Sequence, residues 1–179
     1  HAREFKIVNN SQNIKIWTPG IADGKKRPVM VWLHGGGFSA GSSAEIPAYD
    51  GANLSREGDV VVVSVKHRMN VLGHFDLSAD GEKYRNADNV GIYDLVDALR
   101  WVRDNIAQFG GDPANVTIFG ESGGGAKVLA QMTTPYAKGL FHKGIVESGA
   151  VPTMGPVFMP KEAAARVTEL TLEKLGITA

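Results

Sequence analysis

The sequence predicts an α/β fold, a mostly parallel twisted sheet with crossover helices. Three observations carry this prediction. Short apolar runs rich in β-branched residues recur at 28–33 (PVMVWL), 60–65 (VVVVSV) and 116–119 (VTIF), as in strands covered on both faces. A long helical periodicity separates the second run from the third. Glycine-rich loops follow two of the runs directly, and ligands gather at the carboxyl ends of parallel strands.

The elements follow in order. Residues 5–17 alternate (FKIV, then NIKIW) around an SQ break, which predicts a strand pair. GIADGKKR, at 20–27, predicts a polar, exposed turn. The buried strand 28–33 leads into HGGGFSAGSS, a glycine-rich loop. A polar stretch at 55–59 precedes the second buried strand, whose valines disfavour a helix. Over 89–109, Ile92, Leu95, Val96, Leu99, Val102 and Ile106 share one helical face, with Asn89 as N-cap. Gly110-Gly111-Asp112-Pro113 stops that helix. Strand 116–119, a helix over 126–132, a fourth strand at 144–146 and an amphipathic helix over 160–175, opened by Pro160, complete the chain. Alternating strands and helices imply crossovers, so both glycine loops are expected on the same sheet edge.

The 179 residues suffice for one domain. Lys+Arg and Asp+Glu are both 19, so no basic excess argues for nucleic acid or an anionic membrane. Cysteine is absent, which excludes disulfides, thiolate metal sites and a cysteine nucleophile, and fits a cytoplasmic setting. No apolar run approaches the ~20 residues of a membrane helix. The chain opens on His1 rather than Met, so a processed product or a fragment is expected.

Gly120-Glu121-Ser122-Gly123-Gly124 fits G-x-S-x-G between a strand and a helix. Such an elbow strains the backbone at the serine, so small flanking residues are needed. It lifts the Ser122 hydroxyl above the sheet and leaves the N–H of Gly123 free at a helix start. A nucleophile beside an oxyanion donor is what acyl transfer requires. The same pattern also describes a tight turn with an N-cap serine. HGGGF, at 34–38, weighs toward catalysis, because consecutive glycines let several backbone N–H groups face a cavity.

With these motifs the chain resembles the type-B carboxylesterase (cholinesterase-like) family of α/β-hydrolases. IWTP at 16–19, the 28–38 segment, VVVVSVKHRMNVLGHFDL at 60–77, the 89–125 segment and KGLFHKGIVESGA at 138–150 resemble it in order. The resemblance implies an α/β-hydrolase core, incomplete here: a single partial domain over 1–179 with the nucleophile and oxyanion-hole half. It implies Ser122 as nucleophile, Gly36, Gly37 and Gly123 as oxyanion donors, and Glu121 and Ser148 in a buried polar network behind the site. Arg68 and Asp94 look like a structural ion pair tying strand to helix. For Glu121, Ser148, Arg68 and Asp94 a purely structural role stands equally. The chain departs from the family at His74, where an aromatic or apolar residue is usual, and at VNNSQN (8–13), where a cysteine-bearing segment is usual.

The rest of a catalytic triad is missing from the sequence. In this fold the chain order is Ser, acid, His. After Ser122 the only histidine is His142, and no Asp or Glu lies between them. Glu147, Glu162, Glu169 and Glu173 all follow His142. His34, His67 and His74 are expected to be hydrogen-bonded structural groups. The reading is a carboxylic ester hydrolase acting on a small-molecule ester through an acyl-enzyme. Its acid and His lie outside this chain, either on a second polypeptide or on further chain, and no cofactor or metal is implied. An inactive fragment of such an enzyme and a noncatalytic cholinesterase-like interaction domain are the alternatives.

Overall fold

The computed structural model describes residues 5–9, 12–149 and 160–177. Six strands form one mixed sheet: β1 (Phe5–Asn9), β2 (Gln12–Trp17), β3 (Arg27–Leu33), β4 (Val61–Lys66), β5 (Gly111–Glu121) and β6 (Lys143–Glu147). Their spatial order is β1-β2-β4-β3-β5-β6. β1 and β2 join antiparallel, β2 lies antiparallel to β4, and β4, β3, β5 and β6 run parallel. The expected mostly parallel sheet is present, with an antiparallel edge ribbon from 5–17.

Among the described residues four α-helices accompany it: α1 (Ala52–Gly58), α2 (Val90–Asn105), α3 (Gly123–Thr133) and α4 (Lys161–Lys174). Val29, Val31 and Leu33 of β3, Val61, Val63 and Val65 of β4, and Val116 and Ile118 of β5 are buried. Leu95, Val96, Leu99 and Val102 of α2 join the same core, so the 3.6-residue stripe points at the sheet as its spacing requires. Asn89 stands at the N-cap position of α2 but makes no side-chain cap hydrogen bond. The last turn tightens into a 3₁₀ segment over Ile106–Phe109, and Gly110, with φ 77°, ends it.

Several expectations need correction. The polar stretch at 55–59 contributes its first four residues to α1, with Asp59 as the C-cap. The first free N–H of α1, that of Ala52, donates to Asp50 Oδ1 at 2.8 Å. The expected exposed turn at 20–27 ends in a buried residue. Arg27, 4% exposed, opens β3 and donates to Asp23 and Asp59. α3 starts three residues earlier than 126. α4 forms as expected, but Val167 and Leu170 are exposed and only Thr168 is buried among its described residues.

The topology fixes where chemistry can sit. From β3 the chain moves to β4 on one side, whereas β5 lies on β3's other side and leads to β6. The carboxyl ends of β3 and β5 therefore flank a switch point, where a crevice opens. Leu33 pairs with Gly120, so the HGGGF loop and Ser122 leave the sheet side by side.

Candidate active site

Ser122 stands between β5 and α3 with φ 56° and ψ −122°. A non-glycine residue there costs about 1–3 kcal/mol and persists only when its surroundings hold it. Two backbone bonds do so. Ser122 N–H donates to Glu147 O on β6 at 2.8 Å, and Ser122 O accepts from Ala126 N–H at 3.1 Å. The side chain is half-buried, and its hydroxyl has no hydrogen-bond partner among the described residues.

The glycines around the serine are fixed by backbone approach. A Cβ on Gly120 would lie 2.5 Å from Leu33 O. One on Gly123 would strike the backbone of Gly37, and one on Gly124 the carbonyl of Leu33. A Cβ on Gly125 would lie 2.8 Å from Glu147 O. This is why α3 begins at Gly123 although each helical glycine costs about 1 kcal/mol against alanine. Helix propensity predicts a later start; close packing of α3 on the ends of β3 and β6 prevails.

In the HGGGF loop Gly36 and Gly37 adopt φ 83° and 61°, where other residues would be strained. Gly36 O accepts from Ser39 and Ala40 N–H, which closes the turn. Among the described residues, the N–H groups of Gly36 and Gly37 donate to no backbone carbonyl. The Gly123 N–H lies in the first turn of α3, where helices leave donors unpaired. The Gly35 Cβ position lies 3.7 Å from Ser122 Cβ, so the loop runs directly past the serine. Ser122, Gly36, Gly37 and Gly123 are thus gathered at one place.

Beneath the loop lies a basic, buried cluster. His34 is fully buried, with Nδ1 3.0 Å from Gly35 O and Nε2 without a partner among the described residues. Its ring is 4.9 Å from that of His67, whose two nitrogens are unpaired among the described residues. Burial, and then the nearby Lys127, push the His34 pKa down to about 4. The same causes hold His67 well below the ordinary histidine range. Burial also lowers His74, whose Nδ1 lies 3.2 Å from Asp88 O. The expectation of hydrogen-bonded structural histidines holds for His34 and His74 and not for His67.

Lys127 of α3 was not singled out by sequence. It is 0% exposed, and its Nζ donates to His34 O at 2.9 Å. Burial lowers its pKa to about 8. The available signal was a lone cation among Ala126, Val128, Leu129 and Ala130, at a helical position facing the sheet.

Arg68 and Asp94 form the expected pair. Arg68 Nη2 meets Asp94 Oδ1 at 2.6 Å, and Nε and the backbone N–H reach Oδ2 at 3.0 and 2.9 Å. Burial opposes ionisation of Asp94, but the Arg68 bonds outweigh it and its pKa is lowered. The bridge ties the segment after β4 to α2. Glu121 and Ser148 depart from expectation. Both are exposed, so no buried polar network surrounds them among the described residues.

His142 is far from the serine. It precedes β6 and bonds Val116 through both its N–H and Nδ1. Val116 is six residues before Ser122 along β5, about 20 Å at strand rise. Among the described residues, no His, Asp and Glu cluster suited to a metal ion occurs.

A parallel sheet with a strained serine elbow beside a glycine loop at its switch point defines an α/β-hydrolase core. Comparison with known proteins narrows this. The model of the carboxylesterase family matches residues 7–178. A para-nitrobenzyl esterase of Bacillus subtilis is 49% identical over 153 residues, covering 86% of this chain and 30% of that protein. The liver carboxylesterase of Sus scrofa is 46% identical, covering 86% of this chain and 26% of its own length. Among solved structures, an esterase from Clostridium hathewayi, described as able to hydrolyze aliphatic aromatic polyesters, superposes with TM-score 0.90 at 48% identity. That match covers 99% of this chain and 35% of the other. The chain belongs to the carboxylesterase family. It spans about 30% of the length of the curated relatives it matches.

Proposed function

We propose that this chain carries the nucleophile and oxyanion-hole half of a serine carboxylesterase acting on small-molecule carboxylic esters. The observation that carries the reading is the Ser122 elbow, at φ 56°, set against a glycine loop in which the Gly36 and Gly37 N–H groups have no backbone acceptor among the described residues. In the proposed reaction Ser122 Oγ attacks the ester carbonyl carbon. The carbonyl oxygen takes up negative charge facing the N–H groups of Gly36, Gly37 and Gly123. The tetrahedral adduct collapses, the alcohol leaves, and water cleaves the acyl-enzyme to restore the serine.

A base must remove the hydroxyl proton and a carboxylate must orient that base. His142 cannot serve, at about 20 Å by strand rise. His34 and His67 are buried, that burial lowers their pKa values, and neither bonds Ser122 among the described residues. The acid and base are therefore assigned to polypeptide outside residues 1–179, either continuous with them or a second chain. The other reading is that these residues alone do not turn over substrate. The unpartnered Ser122 hydroxyl favours it.

The test is labelling by a fluorophosphonate probe, with intact mass to detect any accompanying polypeptide. The proposal expects one probe per molecule, on Ser122, abolished by Ser122→Ala. A folded protein, with every accompanying polypeptide present, that takes up no probe would refute the esterase reading.

A further inference from the structure

Lys127 has an environment that its helix does not require. An ammonium removed from water without a counter-ion costs several kcal/mol. Among the described residues no carboxylate bonds Lys127. Its neighbours are instead the carbonyl of His34 at 2.9 Å, the Sδ of Met69 at 3.9 Å and the Phe38 ring, whose centroid is 5.7 Å away. His34 and Phe38 bracket Gly35-Gly36-Gly37. Met69 precedes Asn70, whose N–H donates to Phe38 O at 2.7 Å. All three contacts therefore grip the glycine loop or its strap. Lys127 itself rides on α3, the helix that begins immediately after Ser122.

We propose that Lys127 is a positioning residue, pinning the glycine loop to the nucleophile's helix and so fixing Gly36 and Gly37 relative to Ser122. The catalytic meaning of that geometry rests on the esterase reading; the pinning itself does not. A charged donor makes a hydrogen bond roughly twice as strong as a neutral one, and only the cation attracts the Phe38 ring face. Loss of the proton weakens both contacts at once.

The groups that face this ammonium allow the effect to be isolated. From the loop after β3 comes His34; from the segment after β4 come His67 and His74. Burial keeps all three neutral above pH 7. Asp94 on α2 is held ionised by Arg68. Glu45, Lys66 and Asp88 are the further charged side chains acting on these rings. Of the buried groups, Lys127 changes charge near pH 8.

The experiment is an NMR titration of the whole protein from pH 6.5 to 10. It follows lysine side-chain signals together with the backbone amides of Gly36 and Gly37. The expected result is a Lys127 midpoint near 8 shared by both glycine amides. In Lys127→Met the two amides shift and lose that titration, and Lys127→Gln, which keeps a neutral donor, restores part of their position. With the activating polypeptide present, Lys127→Met lowers kcat at least tenfold with KM within twofold. The proposal is overturned if the amides of the unmodified protein ignore the Lys127 midpoint, or if Lys127→Met folds with Gly36 and Gly37 unmoved. Probe labelling of Ser122 tests the esterase reading separately, because the amide titration needs no turnover.

Discussion

The buried lysine should make stability rise with pH in a range where most proteins lose it. Lys127 has a pKa of about 8 when folded against an ordinary 10.5. The unfolded chain therefore binds more protons at this site between those values. Stability rises wherever the unfolded state binds more protons. The contribution is fully restored above pH 10.5 and is lost as pH falls toward 8. Each pH unit between the two values is worth about 1.4 kcal/mol, which gives about 2–3 kcal/mol between pH 7 and pH 10. The assay is urea unfolding at pH 7, 8, 9 and 10 on the unmodified protein and on Lys127→Met, which lacks the titrating group. The stability difference between the two should move by about 2–3 kcal/mol in favour of the unmodified protein. A difference constant within about 0.5 kcal/mol over that range would refute a desolvated ammonium at this position. Loop order, as inferred above, should move the opposite way, since neutral Lys127 holds the loop less firmly.

Other outcomes follow from the same contacts. Gly124→Ala would drive a methyl into the Leu33 carbonyl; it should cost about 1–3 kcal/mol and lower the urea midpoint. Asp94→Asn should cost about 1–2 kcal/mol by thermal or urea unfolding. That is the worth of a charged hydrogen-bond partner, discounted because Arg68 is 43% exposed. In acid, burial has lowered the pKa of His34, His67 and His74, so the unfolded state binds more protons below 6.5. Stability should therefore fall steadily from pH 6.5 downward, visible as a lower urea midpoint at pH 5 than at pH 7.

Much of this was legible in the sequence because it is local. The valine runs of β3 and β4, and the α2 stripe from Leu95 to Val102, declare themselves through periodicity. The elbow and glycine loop declare themselves through glycines that only close backbone approach demands. What escaped was long-range. Arg27 looks like turn until Asp59, 32 residues away, closes on its Nε at 2.7 Å. Residues 52–58 look polar because α1 lies outside the main core; only Ser55 is buried on it. Lys127 looks like one more helical lysine, and only the fold turns its ammonium inward onto a carbonyl 93 residues earlier. Glu121 and Ser148 failed in the other direction. Both are exposed among the described residues, where a buried position was expected.

That contrast separates two parts of the site by what holds them. The elbow and the glycine loop are held from within. Ser122 is bonded to Glu147 and Ala126, the loop is packed on Gly123, and Lys127 joins the two across the helix. None of these contacts involves the hydroxyl of Ser122 or requires a base. The strain at φ 56° is thus offset by backbone bonds that exist before any proton transfer is possible. If Gly36, Gly37 and Gly123 donate to an oxyanion, as proposed above, their geometry is set independently of the group that would activate Ser122. Activation of the Ser122 hydroxyl, under the esterase reading, is a separate condition. Under that proposal the site would bind an oxyanion without needing the activating group. Affinity for a stable anionic analogue of the tetrahedral adduct should therefore survive Ser122→Ala, whereas covalent labelling should not.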